Sequence, residues 1–213
     1  MDDPHLALWL IRHGETEWSR SGAHTSRTDV PLTPRGRSDA IAIGEYLRKL
    51  CFSFVMTSPL QRARETCKLA GFAGVSHIRA ELGEWDYGQY EGRTTAEIRQ
   101  ESPGWSVWNG DPPGGETIAD VSTGAAKVID ECALLGGRIA LFSHAHFLRI
   151  LAAVWVGLSP CAGSVLALHT GSVSTLGFER DNRVIEFWNR SFESGDCQVG
   201  GSAATPMAGQ EKD

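Results

Sequence analysis

Short apolar runs without a polar break recur along the chain, and charged or glycine-containing stretches follow them. Residues 6–11 (LALWLI) are the first such run, which predicts a buried strand feeding a loop at Arg12, His13 and Gly14. Thr33 followed by Pro34 is an N-cap with proline at the first helical position. Ala40, Ile43, Leu47 and Leu50 continue at helical spacing, so a helix is predicted over about 34–50. Residues 54–57 predict a second buried strand. Ser58-Pro59-Leu60-Gln61 then reads as a capping box with proline at a helix start, placing Arg62 in the first turn of a helix that ends near Gly71. Ile118, Val121, Ala125, Val128, Cys132 and Leu135 alternate by three and four until Gly136-Gly137 stops them, a third helix with one core face. Residues 139–142 predict a third buried strand, ending in Ser143-His144-Ala145-His146 before an apolar helix to about Val156. Two β-rich runs, 173–178 and 184–188, flank Asp181-Asn182 and predict a hairpin.

Between about 76 and 116 this rhythm lapses. The stretch is richer in Gly, Pro, Trp and Tyr, with one short helix opened by the capping box Thr94 to Glu97, and it predicts a lid-like insertion. Trp105 and Trp108 are read either as lining a substrate pocket or as staples holding that insertion to the core, the second being favoured. From Gly195 onward no hydrophobic face remains, which predicts a single domain over 1–193 and a disordered tail over 194–213. The alternation of strands and helices predicts an α/β fold, a three-layer α/β/α sandwich around a mostly parallel central sheet. Ligands of such sheets sit beyond the carboxyl ends of the strands, where His13 and His144 both fall.

Composition narrows the function. The 213 residues carry a formal net charge of −6 with scattered Lys and Arg, so no electrostatic footprint for nucleic acid is expected. No apolar run approaches the roughly 20 residues that span a bilayer, and the opening MDDPH is acidic where a signal peptide is basic; no membrane association and a cytoplasmic location are expected. The five cysteines are widely spaced without CxxC pairs, as reduced thiols packed as small hydrophobes would be. Asn189-Arg190-Ser191 matches a glycosylation acceptor, read as chance without a secretory signal.

Phosphoryl transfer needs positive charge around three equatorial oxygens, an in-line nucleophile and a proton for the leaving oxygen. Arg12 and Arg62 can fork onto phosphate oxygens, Arg62 adding the positive end of its helix. His144 is a third donor if protonated. His13, beside Arg12 and neutral on one ring nitrogen, can attack phosphorus. His144 and His146 have a metal-like i, i+2 spacing, but no ligand set accompanies them, so neither metal nor other cofactor is expected.

These residues resemble the histidine phosphatase superfamily, which includes the cofactor-dependent phosphoglycerate mutases. Leu10-Ile11-Arg12-His13-Gly14-Glu15-Thr16 is similar to its signature. The likeness continues in order through Ser58-Pro59-Leu60-Gln61-Arg62-Ala63, Leu82 to Gly88 (LGEWDYG), Gly115-Glu116-Thr117 and Ser143-His144-Ala145-His146. It implies a phosphoglycerate mutase-like fold with His13 as phospho-acceptor, Arg12, Arg62 and His144 as phosphate ligands and Glu84 as proton donor. Ser19 and Thr25 resemble polar residues that close over the phosphate, with Tyr87 and Ala145 as further substrate-binding positions. The segments WSRSGAHTSRTD, EWDYGQYEG and 105–109 look closer to the branch of sedoheptulose-1,7-bisphosphatase and broad-specificity acid phosphatases than to mutases. The resemblance therefore implies a metal-independent phosphatase of small phosphorylated metabolites, sugar phosphates or bisphosphates, acting through a phosphohistidine. A mutase-type phosphotransferase is the alternative. It would carry a longer insertion and a basic tail. Ala145 and Ser26 stand where the family usually has glycine, and either is expected to narrow the pocket or resist a positive φ. A homodimer is left open.

Overall fold

The first apolar run becomes β1 (Ala7–Arg12) in a computed structural model that describes residues 6–192. It pairs in parallel with β4 (Arg138–Ser143), Trp9 opposite Ala140 and Arg12 opposite Ser143. His13 and His144, one residue further along each strand, thus leave the sheet side by side. β4 pairs in parallel with β2 (Phe54–Thr57), and β2 with a short edge strand, β3 (Ser76–Ile78). On the other flank β1 pairs antiparallel with β5 (Ser172–Glu179), and β5 antiparallel with β6 (Asn182–Ser191). The order is β3-β2-β4-β1-β5-β6.

Alternate side chains of one strand feed opposite cores, which is why the runs show no polar break. Trp9, Ile11, Val55, Ala140 and Phe142 pack with Ile43 of α2 (Pro34–Leu47) and Cys67 of α3 (Gln61–Leu69). Leu8, Leu10, Met56, Ile139 and Leu141 pack with Val128 of α5 (Ile118–Leu135) and Leu148 of α6 (Ala145–Trp155). Helices on both faces make the three layers. Thr33 caps α2 by accepting from the Gly36 N–H, and Thr94 and Glu97 form the predicted reciprocal box at α4 (Thr95–Glu101).

Several elements differ from the sequence reading. Residues 76–78 belong to the sheet edge, so the segment across the top of the sheet begins at about 79. A five-residue helix, α1 (Glu17–Ser21), follows the first loop and was not predicted. The hairpin turns at Arg180-Asp181, since Glu179 pairs with Asn182 and Arg180 takes φ 57°. α3 starts at Gln61 with Leu60 as its N-cap and no side-chain cap; the Ser58 hydroxyl accepts from Leu60 N at 3.2 Å and lies 2.7 Å from His144 Nε2. The predicted tail lies outside the described residues. No helix among the described residues is long and apolar enough to cross a membrane.

Candidate active site

His13 sits on a loop whose backbone is fixed at both ends. Its N–H donates to Ser143 O at 3.1 Å and its carbonyl accepts from Gly171 N at 2.9 Å. Gly14 and Gly36 bring two backbones into contact: a Cβ on Gly14 would lie 2.3 Å from Gly36 O, so neighbouring His13 is seated on the first turn of α2. The Nδ1 of His13 lies 2.7 Å from Gly14 O. A carbonyl only accepts, so Nδ1 carries the proton and Nε2 keeps its lone pair. Burial, reinforced by the charges of Arg62 and Arg12, holds the imidazole pKa well below 6.5. His13 is a neutral imidazole with an unprotonated Nε2.

Arg62, fully buried in the first turn of α3, is oriented by neutral partners. Nη2 donates to Thr25 O at 3.0 Å and Ser26 O at 3.1 Å, Nη1 to Thr28 O at 3.1 Å, and Nε to His144 Nδ1 at 3.2 Å. Because His144 accepts on Nδ1, its proton is on Nε2, which donates to Ser58 Oγ at 2.7 Å. Burial, then the nearby Arg62, His13 and Arg12, keep His144 neutral. Both ring nitrogens of His144 are therefore engaged, and a third hydrogen bond to phosphate requires it to leave Ser58 or Arg62. Its ring centre lies 5.1 Å from that of His13.

Glu84 arrives from the segment over the sheet, which Ser143 Oγ ties down through Leu82 O at 2.7 Å. Its Oε1 accepts from Trp85 N and Phe147 N, both at 3.0 Å, and Oε2 from His146 N at 3.2 Å. The carboxyl group thus serves the first turn of α6, which has no side-chain cap of its own. Those donors favour the ionised form, yet burial outweighs them and the Glu84 pKa stands above its ordinary 4.5.

A cavity of about 280 Å³ joins these groups. His13, Arg12 and Glu84 line it with Ser19, Thr25, Tyr87 and Ala145; Arg62 and His144 stand behind His13. Arg12 donates Nη1 to Leu168 O at 2.5 Å, while its buried Nε has no partner. Burial lowers its pKa to about 10, so it remains charged. Ser19 uses its hydroxyl in a reciprocal cap with Thr16, and Thr25 donates to Ala23 O at 3.0 Å. Ala145 and Ser26 both avoid positive φ, so the missing glycines impose no backbone strain.

Sequence reasoning missed part of the opposite wall. His24, His146 and Arg149 line the same cavity. Tyr87, whose ionisation burial pushes far up, is bonded to His146 Nδ1 at 2.6 Å, and His24 packs on Tyr87 with ring centres 4.7 Å apart. Arg149 donates to Gly163 O at 2.8 Å and Ser164 O at 3.0 Å, its guanidinium 4.6 Å above the Trp108 ring. It is the one charged side chain in the apolar helix AHFLRILAAVW, and that exception was its signal. Trp105 packs against Tyr90 and His24, and Trp108 against Trp85 and His146, so both staple the overlying segment to the core. Among the described residues no three His, Cys, Asp or Glu side chains converge as a metal ion would need.

A buried histidine, flanked by arginines and a carboxyl group at the carboxyl ends of parallel strands, defines a phosphoric monoester hydrolase. The chain belongs to the histidine phosphatase superfamily (branch 1), whose family model matches residues 8–191. An acid phosphatase of Mycobacterium tuberculosis is 42% identical over 181 residues, covering 83% of this chain and 88% of the relative. The sedoheptulose 1,7-bisphosphatase of Saccharomyces cerevisiae is 35% identical over 182 residues, covering 70% of this chain and 67% of the relative. A solved structure from Mycobacterium tuberculosis superposes with a TM-score of 0.82 at 38% identity, covering 87% of this chain and 97% of the other.

Proposed function

We propose that the protein is a metal-independent phosphatase that hydrolyses small sugar phosphates or bisphosphates through a phosphohistidine on His13. The observation that carries this reading is the hydrogen bond from His13 Nδ1 to Gly14 O, which leaves Nε2 as a neutral, unprotonated nitrogen at the pocket wall. Nε2 attacks phosphorus as the ester P–O bond breaks. Glu84 gives its proton to the leaving oxygen. Arg12 and Arg62 balance the charge of the equatorial oxygens, and water then cleaves the P–N bond with Glu84, now ionised, as base. Single-turnover labelling with a ³²P-phosphate ester tests the route: acid-labile label on His13 supports it, and turnover without such a label overturns it.

The substrate class rests on the wall facing this centre. Arg149 and Arg12 place two cations at one cavity, which supports a substrate with two anionic groups, and the name of the bisphosphatase relative points the same way. Arg149→Met is expected to raise KM for a sugar bisphosphate by about 10-fold, the lower range for a charged hydrogen bond, and to leave KM for phenyl phosphate nearly unchanged. Equal effects on both esters would remove Arg149 from substrate recognition. A panel of sugar phosphates, bisphosphates, glycerates, nucleotides and serine phosphate, with mutase activity measured in parallel, separates hydrolysis from phosphotransfer.

Turnover is also expected to persist in excess EDTA, because the arginines supply the charge a metal would otherwise bring. Loss restored by a divalent ion would contradict this.

A further inference from the structure

Building on the reading that Arg62 binds the transferred phosphoryl group, we infer that Glu91 is a positioning residue for Arg62, acting through the peptide unit between Thr25 and Ser26. The Thr25 carbonyl accepts from Arg62 Nη2 at 3.0 Å, and the N–H of the same unit, on Ser26, donates to both carboxylate oxygens of Glu91 at 2.8 and 3.0 Å. In a trans peptide these two groups point in opposite directions, so the cation and the anion face each other across one planar amide. Its dipole of about 3.5 D lies along their field. Thr28 repeats the arrangement on its own residue, its N–H on Glu91 Oε1 at 3.0 Å and its carbonyl on Arg62 Nη1 at 3.1 Å.

The arrangement has a chemical purpose that a direct salt bridge would defeat. A carboxylate on the guanidinium would cancel the charge that its present neutral acceptors leave intact. Placed behind the loop, Glu91 fixes the carbonyls that aim Arg62 and leaves the cation uncancelled. Glu91 itself is held by backbone: Gly92 N donates to His24 O at 2.8 Å and His24 N to Arg93 O at 2.9 Å. Removing its side chain therefore frees the 25–28 loop without releasing the turn that carries it.

Orthovanadate inhibition of the full chain is the test, with Glu91→Ala, Arg62→Ala and the double variant. Glu91→Ala is expected to weaken vanadate about 10- to 100-fold, the range for a charged hydrogen bond, and to raise KM more than it lowers kcat. In the Arg62→Ala background the same change is expected to cost almost nothing further, the non-additivity of residues that act as one unit. Glu91→Gln keeps one oxygen for Ser26 and Thr28; it is expected to lie between wild type and alanine, and replaces alanine in the cycle if that variant loses its melting transition. A Glu91 effect that persists undiminished without Arg62, or a vanadate affinity within twofold of wild type in Glu91→Ala, would overturn the inference. An Arg62→Ala protein with unchanged vanadate affinity would instead overturn the role of Arg62 beneath it, and the inference with it.

Discussion

His13→Ala is expected to abolish turnover of every phosphate ester, a loss on the order of 10⁴-fold or more, and with it all acid-labile labelling. The neighbouring imidazole of His144, its ring centre 5.1 Å away, has no free nitrogen to replace it. Both nitrogens of His144 are engaged by Arg62 and Ser58, and His146 is bonded to Tyr87. The fold is expected to hold, because the backbone bonds of residue 13 to Ser143 and Gly171 do not involve the imidazole. Vanadate is still expected to bind, through Arg12 and Arg62. That combination separates loss of the nucleophile from loss of the pocket, and near-wild-type turnover in the variant would sink the covalent route.

Glu84→Gln is expected to cost about 10²–10⁴-fold on an alkyl phosphate, the usual share of a general acid, and far less on a nitrophenyl ester whose leaving group hardly needs a proton. The amide oxygen can still accept from Trp85 and Phe147, as Oε1 does now, while the bond from His146 N to Oε2 is lost. The sign of the pH dependence follows from the two shifts. The reaction needs His13 neutral and Glu84 protonated. Burial lowers the first pKa well below 6.5 and raises the second above 4.5. kcat/KM with an alkyl phosphate should therefore rise as pH climbs past the low value of His13 and fall as it passes the raised value of Glu84, with the optimum between the two. The falling limb should vanish in Glu84→Gln. Equal losses on both esters would assign Glu84 to binding instead.

How much of this was legible depends on whether a contact is local. The ends of β1 and β4 could be read because strands covered on both faces need unbroken apolar runs, and the residues just beyond them are His13 and His144. The start of α3 was misplaced for the opposite reason. Ser58 and Gln61 have the spacing of a capping box, but the Ser58 hydroxyl serves His144, 86 residues away, and sequence spacing cannot distinguish the two uses. β3 has only three residues, two of them exposed, so it shows no apolar run. His24 and Arg149 face one cavity from widely separated parts of the chain, which no local pattern encodes. The concern over Ala145 and Ser26 assumed a backbone conformation that neither adopts.

The neutral imidazoles lining and backing the pocket bear on proton uptake during unfolding. His13, His24, His144 and His146 all have pKa values lowered chiefly by burial, whereas in the unfolded chain each titrates near 6.5. Below that pH the unfolded chain binds protons that the native state refuses, and each such group tilts the equilibrium toward unfolding by up to about 1.4 kcal/mol per pH unit. Glu84 pulls the other way, since between 4.5 and its raised value the native state holds a proton that the unfolded chain releases. Four groups oppose one. Acidification that keeps Glu84 ready to donate therefore also draws protons toward the unfolded chain, through the same burial that keeps His13 neutral.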